Sequence, residues 1–326
     1  MLAADFANAR LLDQARIFLV PFSLDVLLPH FKDPAGLKLS LDSIAAQIWG
    51  GKMRVVIVDD GSPEPDRIAA EAYARAFAEE TDIGLTFLVN AQNLGRPRTR
   101  NRLLDAIEAD YVAWLDAGDI WYPQKLEVQF AHLTRLRMQG NNIDQIWLTC
   151  SYDWKWEGNE NIRSLLQVTK GDQVQELLDG ARLRAYLWTL LGTRRAFQIA
   201  GRFDERLPRL QDLDYFLRFV RAGGRIITPP EKEALCCYFK SDVGRNAREI
   251  NICHRLILAK QAPVINEYSP ALQSKLNYKA NSLAARFARN NQKLGLWLFF
   301  RLCAIFGSPR HSLQILKTVL LRKVLR

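Results

Sequence analysis

Tyr111-Val112-Ala113-Trp114-Leu115-Asp116-Ala117-Gly118-Asp119-Ile120-Trp121 is the stretch whose reading decides the fold. The continuous apolar run from Tyr111 to Leu115 predicts a buried strand. Asp116 and Asp119 then emerge where that strand ends, and acids at the C-terminal edge of a strand in an α/β sheet face a ligand crevice. Two aspartates this close repel one another unless a cation, or donors from a ligand, stand between them. The local alternative is that Asp119 caps a helix starting near Pro123 and Asp116 is a turn residue.

Outward from this stretch the same alternation recurs. Residues 1–15 carry helical spacing, Ile17-Phe18-Leu19-Val20 reads as a short strand ended by Pro21, and a loop follows from Asp25 to Gly36. Leu37 to Trp49 shows a helix face, Arg54 to Val58 a strand closed by Asp59-Asp60-Gly61-Ser62, and Ala69 to Ala78 a helix. Leu85 to Val89 is a strand and Arg98 to Glu108 a helix, so the pattern argues βαβ units and a mostly parallel sheet flanked by helices. Past residue 140 the rhythm changes. Ile146 to Tyr152 reads as a strand, Asp153 to Ile162 as a polar connection, and Val174 to Ala181 as a helix. Tyr186 to Thr193 is extended, Arg195 to Ala200 and Asp212 to Arg221 are helices, and Ile226 to Thr228 and Ala234 to Phe239 are strands. From about Arg248 helical patterns dominate. The expected organisation is an N-terminal helical extension (1–15), an α/β domain (16–240, divided near 125) and a basic helical region (241–326).

The 326 residues carry a net charge of +10, and it is unevenly placed. No acidic residue follows Glu267, whereas eleven Lys or Arg lie between Lys275 and Arg326. Removing those from 45 basic residues leaves 34 against 35 acids, so residues 1–267 are near neutral. The charge belongs to a tail that is solvated or faces a membrane. The five cysteines lack CxxC spacing, and adjacent Cys236 and Cys237 would point to opposite faces of a strand, which reads as buried thiols in a reducing compartment. The four histidines are scattered, with no metal-binding spacing. No secretory signal is visible, and the apolar run Leu294 to Phe306, broken by Arg301, falls short of the ~20 residues a bilayer span requires. A cytoplasmic protein with at most an interfacial attachment is expected.

Four polar clusters fall at strand ends or helix starts: Asp59 to Ser62, Asn93-Leu94-Gly95 through Arg100-Asn101, Asp116 to Asp119, and Gln211-Asp212. A parallel sheet brings such positions to one edge. Carboxylates, an arginine and turn amides together suit a nucleotide diphosphate, and a separate later carboxylate suits a general base.

With these motifs in their order the chain resembles the family 2 glycosyltransferases of the GT-A fold. These are inverting, nucleotide-sugar-dependent enzymes of bacterial surface-polysaccharide assembly. The resemblance spans about residues 16–240. It rests on Val20-Pro21-Phe22, Val58-Asp59-Asp60-Gly61-Ser62, Asn93-Leu94-Gly95 with Thr99-Arg100-Asn101, Leu115-Asp116-Ala117-Gly118-Asp119-Ile120-Trp121-Tyr122-Pro123-Gln124-Lys125-Leu126, Gly201-Arg202-Phe203-Asp204-Glu205, and Gln211-Asp212-Leu213-Asp214-Tyr215-Phe216-Leu217-Arg218. It implies a GT-A (Rossmann-like) α/β fold with a C-terminal helical extension. Pro21, Phe22, Asp59 and Asp60 would bind the nucleotide, with Asp60 accepting from the base imide. Arg100 would meet base or pyrophosphate, Asp116 the ribose or metal, and Asp212 would deprotonate the acceptor hydroxyl. A divalent metal, Mg²⁺ or Mn²⁺, would stabilise the leaving diphosphate, with Asp116 and Asp119 as ligands.

One departure stands inside that site: Gly118 occupies the place of the family's direct metal ligand. The implied options are a weaker metal site built on Asp119, neutralisation of the diphosphate by Arg100 or tail cations, or a dead site in a protein that binds sugar nucleotides as a partner or scaffold. The absence of QxxRW argues against a processive synthase, and the lack of a Gly-rich basic N-terminal loop against a nucleotidyltransferase. Asp204 reads as structural, and Asp214 and Arg218 as a helical salt bridge. Trp147 and Trp188 read as core, whereas Trp154 and Trp156 are the candidates for stacking on an acceptor sugar. The expected partners are a UDP-, dTDP- or GDP-linked donor, a glycan or lipid-linked glycan acceptor, and an anionic membrane surface under the tail. The membrane reading places the chain peripherally on the cytosolic face; packing on a second subunit is its rival, and nucleic acid is not expected.

Overall fold

A computed structural model describes residues 22–156, 161–240 and 246–324. The helix expected over 1–15 and the strand over 17–20 lie outside the described residues, as does Pro21. The described chain opens with β1 (Ser23–His30), α1 (Pro34–Ala45), β2 (Lys52–Asp59), α2 (Glu64–Glu80), β3 (Gly84–Val89), α3 (Arg96–Asp105) and β4 (Tyr111–Trp114). After these come β5 (Ile120–Trp121), α4 (Lys125–Met138), β6 (Ile146–Leu148), β7 (Tyr152–Trp156), β8 (Ile162–Leu165), α5 (Gln173–Asp179) and β9 (Leu191–Thr193). The remainder is α6 (Arg194–Ala200), α7 (Gln211–Arg221), β10 (Arg225–Ile227), β11 (Cys236–Lys240), α8 (Ala247–Lys260), α9 (Ala262–Ile265), α10 (Pro270–Asn290), α11 (Leu294–Gly307) and α12 (Pro309–Val324).

Among the described residues the main sheet runs β10-β6-β9-β4-β1-β2-β3, with only β9 antiparallel to its neighbours. The expected mostly parallel sheet with flanking helices is what forms. β1 lies between β2 and β4 and marks the switch in strand order, so the ends of β1, β2 and β4 open onto one crevice. A second sheet, β5-β11-β7-β8, stands beside it.

The largest correction concerns the first strand. The segment read as a loop from Asp25 to Gly36 contains β1 and the start of α1. Leu24, Val26, Leu27 and Leu28 are completely or almost completely buried, and each aliphatic side chain so placed contributes about 1.5–3 kcal/mol. Asp25 made the run look like a loop. In the fold its carboxylate is buried but fully partnered: two bonds from Arg54 at 2.8 Å, and amide donors from Glu108 and Ala109 at 2.7 and 2.9 Å. Burial opposes its ionisation, but those donors prevail and hold the carboxyl below its usual range.

A second correction lies past residue 148. The single strand expected over 146–152 divides into β6 and β7, which belong to different sheets. Within the expected polar connection over 153–162, residues 153–156 belong to β7 and Ile162 opens the antiparallel β8, with 157–160 outside the described residues. The helices after 246 are not a separate appendage. Cys253 and Ile257 of α8 and Leu276 of α10 enter the core formed by α5, α6 and α7, and Phe300 of α11 packs on Ala284, Phe287 and Ala288 of α10. Cys150, Cys236, Cys237 and Cys253 are buried thiols, as read from their spacing.

Candidate active site

The crevice at the switch point is built from strand ends. β1 closes with Pro29-His30-Phe31, β2 with Asp59-Asp60, and the turn after β4 carries Asp116 to Asp119. A cavity of about 580 Å³ opens here, its lining including Pro29, Phe31, Asp33, Asp60, Arg96 and Asp116.

Asp59 and Asp60 divide their work. Asp59 is fully buried and accepts from Ser62 N–H (2.9 Å), Ser62 Oγ (2.6 Å) and His30 Nδ1 (2.7 Å), so it shapes the turn and does not reach the cavity. This corrects its expected place on the nucleotide. His30 Nε2 accepts from the Asp33 amide at 3.3 Å, which leaves the proton on Nδ1. Asp60 lines the cavity but accepts from Asn90 Nδ2 (2.9 Å) and from the amides of Leu94 (2.9 Å) and Gly95 (3.0 Å). It therefore fixes the loop that launches α3. Phe22 is likewise corrected: it lies before β1, stacked at 5.5 Å on Phe130 and edge-on to Tyr111, at the other end of the strand from the cavity. The Pro-x-aromatic ending belongs to Pro29 and Phe31, eight residues on from Pro21 and nine from Phe22.

Arg100 forms the floor. It is 2 % exposed and donates to both oxygens of Asp116, at 2.9 and 3.1 Å, and to Asp212. Its Nε–H is buried with no hydrogen-bond partner among the described residues. Asp212 sits in the first turn of α7, after Leu210 in the left-handed region at φ +57°. A leucine held there is strained, as happens where a neighbour's position matters more than local comfort. Burial raises the Asp212 pKa and Arg100 opposes it, the net shift being upward. A carboxylate so raised is a better proton acceptor.

A second cavity, about 410 Å³, adjoins the first and shares Arg96, Arg100, Asp116 and Arg209 with it. Asp212 belongs to the second, with Trp154, Tyr186, Trp188, Tyr238 and residues of α10. Trp188 packs on Tyr186 (5.1 Å, 21°) and on Tyr238 (5.6 Å, 19°), and the two tyrosines meet each other at 6.0 Å, so the three rings form one cluster. Trp188 is buried, as read from the sequence, yet it is also a cavity wall. Trp154 lines the cavity; Trp156 does not, being 39 % exposed at the end of β7. Asp204 pairs with Arg206 (2.7 Å) and Lys260 (3.1 Å), and Asp214 with Arg218 (2.9 Å), the structural roles expected of them.

The family's metal can be tested against these residues. Both oxygens of Asp116 are held by Arg100. Gly118 offers no ligand; its φ is +95°, and a Cβ there would lie 3.4 Å from Asp33 Oδ2. Asp119 is 5 % exposed, accepts from the Phe239 amide at 3.3 Å, and is absent from both cavity walls. Its burial, reinforced by Asp116, raises its pKa well above the usual carboxylate value, and the Phe239 amide opposes that shift. No group of three His, Cys, Asp or Glu able to hold an ion exists among the described residues. The side chains placed here do not by themselves make a divalent-metal site: Asp116 is committed to Arg100, Gly118 has no donor, and Asp119, the expected ligand, stands off both cavities.

Arg96 and Asp33 were missed from the sequence. Arg96 faces both cavities at the start of α3. Protein surrounds most of it although its outer side meets solvent; that desolvation, with Arg100 nearby, lowers its pKa. Asp33 caps α1 by accepting from Gly36 N–H at 2.8 Å.

The family model described as glycosyl transferase family 2 matches residues 25–182. Succinoglycan biosynthesis protein ExoW of Rhizobium meliloti is 35 % identical over 220 residues, 63 % of this chain and 65 % of that protein. Amylovoran biosynthesis glycosyltransferase AmsB of Erwinia amylovora is 26 % identical over 207 residues, 63 % of this chain and 66 % of its own. The aligned part thus spans slightly less than two thirds of each relative. Among solved structures, S. aureus TarS 1–349 in complex with UDP-GlcNAc superposes with a TM-score of 0.58 at 14 % identity, covering 89 % of this chain and 90 % of that one. Mannosyltransferase PcManGT from Pyrobaculum calidifontis, in complex with GDP-Man and Mn²⁺, gives 0.54 at 17 % identity over 91 % of this chain and 79 % of its own. These two likenesses are of fold. The chain has the GT-A fold, and its residues 25–182 are similar to glycosyl transferase family 2.

Proposed function

We propose that this chain transfers a sugar from a nucleotide-sugar donor to a hydroxyl of a glycan acceptor, with inversion at the anomeric carbon. The observation that carries this reading is the meeting of two cavities at Arg100, with Asp212 lining the second and not the strand-end pocket. The donor lies in the first cavity between Pro29, Phe31 and α3. The acceptor sugar lies in the second, against the apolar plate of Tyr186, Trp188 and Tyr238.

The acceptor oxygen attacks the anomeric carbon from the Asp212 side as its proton passes to the Asp212 carboxylate. The bond from that carbon to the phosphate oxygen breaks, and its electron pair leaves with the diphosphate. Attack and departure on opposite faces invert the centre. Arg100 restrains Asp212 and Asp116 on either side of this path. Involvement of ExoW and AmsB in polysaccharide synthesis supports a glycan acceptor. The test is the anomeric configuration of the product by NMR: the opposite configuration to the donor is expected, and retention overturns the mechanism. Nucleotide binding with no transfer to any acceptor would favour the scaffold reading.

We also propose that the C-terminal helices rest on an anionic membrane surface, which would place a lipid-linked acceptor at the second cavity and the chain on the cytosolic face. α11 turns Phe300 and Ala304 inward and exposes Leu294, Leu298, Phe299, Leu302 and Phe306. Exposed Arg310 and Lys317 of α12 belong to the acid-free tail, and charge complementarity favours anionic lipid over a second copy of this chain. No helix among the described residues is long and apolar enough to cross a membrane.

A further inference from the structure

A departing diphosphate needs positive charge, and the cations of this cleft are not equally free to supply it. Arg100 is committed to Asp116 and Asp212. Arg209 is paired with Glu249 at 2.7 Å, and Arg98 with Glu205 at 2.9 Å. The Arg96 side chain makes no hydrogen bond or ion pair with any described residue, although it lines both cavities and lies within electrostatic reach of Asp116 and Asp212. It is also the first residue of α3, whose N-cap Gly95 supplies no side-chain cap. The first intrahelical bond there is Thr99 N–H to Gly95 O at 3.2 Å, and Pro97 carries no N–H, so the amides of Arg96 and Arg98 precede the ladder. A guanidinium beside an uncapped helix end is a diphosphate-binding arrangement.

We propose that Arg96, with the amide end of α3, binds the donor diphosphate and carries its charge at the place where the family uses a divalent metal. This rests on the nucleotide-sugar reading above and on the misfit of Asp116, Gly118 and Asp119 to a metal ion. A planar fork offers a phosphate two parallel hydrogen bonds, which a lysine cannot reproduce.

Calorimetric titration of the full chain tests it, with UDP, GDP, dTDP and inorganic pyrophosphate as probes, each in EDTA and in Mn²⁺. At least one nucleoside diphosphate is expected to bind in EDTA, within about twofold of its affinity in Mn²⁺. Arg96→Gln should weaken that binding roughly tenfold or more while changing affinity for the bare nucleoside less than about twofold, and Arg96→Lys should fall between. Arg96→Gln should unfold thermally like the wild type, because its side chain has no protein partner to lose. Binding that appears only with Mn²⁺, or an Arg96→Gln variant that binds as wild type, overturns the inference while leaving the nucleotide-sugar reading standing. Failure of every nucleotide in both conditions overturns that reading and this inference with it.

Discussion

Arg100 holds both carboxylate oxygens of Asp116, at 2.9 and 3.1 Å, while its other terminal nitrogen donates to Asp212. One buried guanidinium thus ties the turn after β4 to the first turn of α7, Arg100 and Asp212 lying 112 residues apart in the chain. Without it the two acids would face each other with no cation between them.

Arg100→Met should accordingly lose both activity and stability. Removing one partner of a buried ion pair costs about 3–5 kcal/mol, and the partial exposure of Asp116 and Asp212 puts the expected loss at the lower end of that range. Arg100→Lys should recover part of the stability but little of the turnover, since a single ammonium cannot span both carboxylates in this geometry. Chemical denaturation and initial rates on the same preparations check this.

Asp119 gives a pH signature. Its folded pKa stands well above the unfolded carboxylate value, so its contribution to stability is complete below about pH 4 and is lost as pH rises through the folded pKa. Asp119→Asn removes that loss and keeps an oxygen for the Phe239 amide. The variant should melt higher than wild type at pH 8, the difference closing toward pH 4. A wild type that stays the more stable of the two at pH 8 would contradict the assignment.

Gly118→Ala isolates the backbone. The nearest atom to its new Cβ is at an ordinary contact distance, so the cost comes from φ +95° and should be about 1–2 kcal/mol. Gly118→Asp carries the same strain and adds a carboxylate facing Asp33. Its thermal midpoint should therefore fall at least as far as that of Gly118→Ala in EDTA.

The exposed face of α11 predicts membrane attachment that point changes can remove. Truncation is a poor probe, because α11 covers α10, and α10 lines the second cavity. Phe299→Glu with Phe306→Glu should release the protein from vesicles containing anionic lipid while leaving the melting curve near that of wild type. Co-sedimentation checks it. Unchanged binding, or a wild type that dimerises without touching vesicles, would count against the membrane.

Much of the strand-end cavity was legible from residue order because its polar residues sit at strand ends, where a parallel sheet forces convergence. Asp60, Arg100, Asp116 and Asp212 met as the motifs implied, though Asp60 spends its oxygens on the loop before α3. The first strand was not legible. Two apolar runs end in proline close to an aromatic, and Asp25 disqualifies the right one until Arg54, 29 residues away, is seen to neutralise it. Asp119 is a related case: its spacing matches a ligand, but the Phe239 amide it accepts from comes from β11, 120 residues on. Trp188 could not be placed on a cavity wall from its own neighbours, since Tyr238 completes the stack from a distant strand. Arg96 gave no signal at all, being one of several arginines in a basic helix start.

Asp212 carries the central claim, and one comparison bears on it most directly: nucleoside diphosphate release and nucleotide affinity, measured side by side for wild type and Asp212→Asn across UDP-, GDP- and dTDP-sugars with glycan acceptors. The account predicts turnover falling by at least about 10²-fold with nucleotide affinity held within about threefold, because Asp212 touches the acceptor side alone. Unchanged turnover in the variant would contradict it.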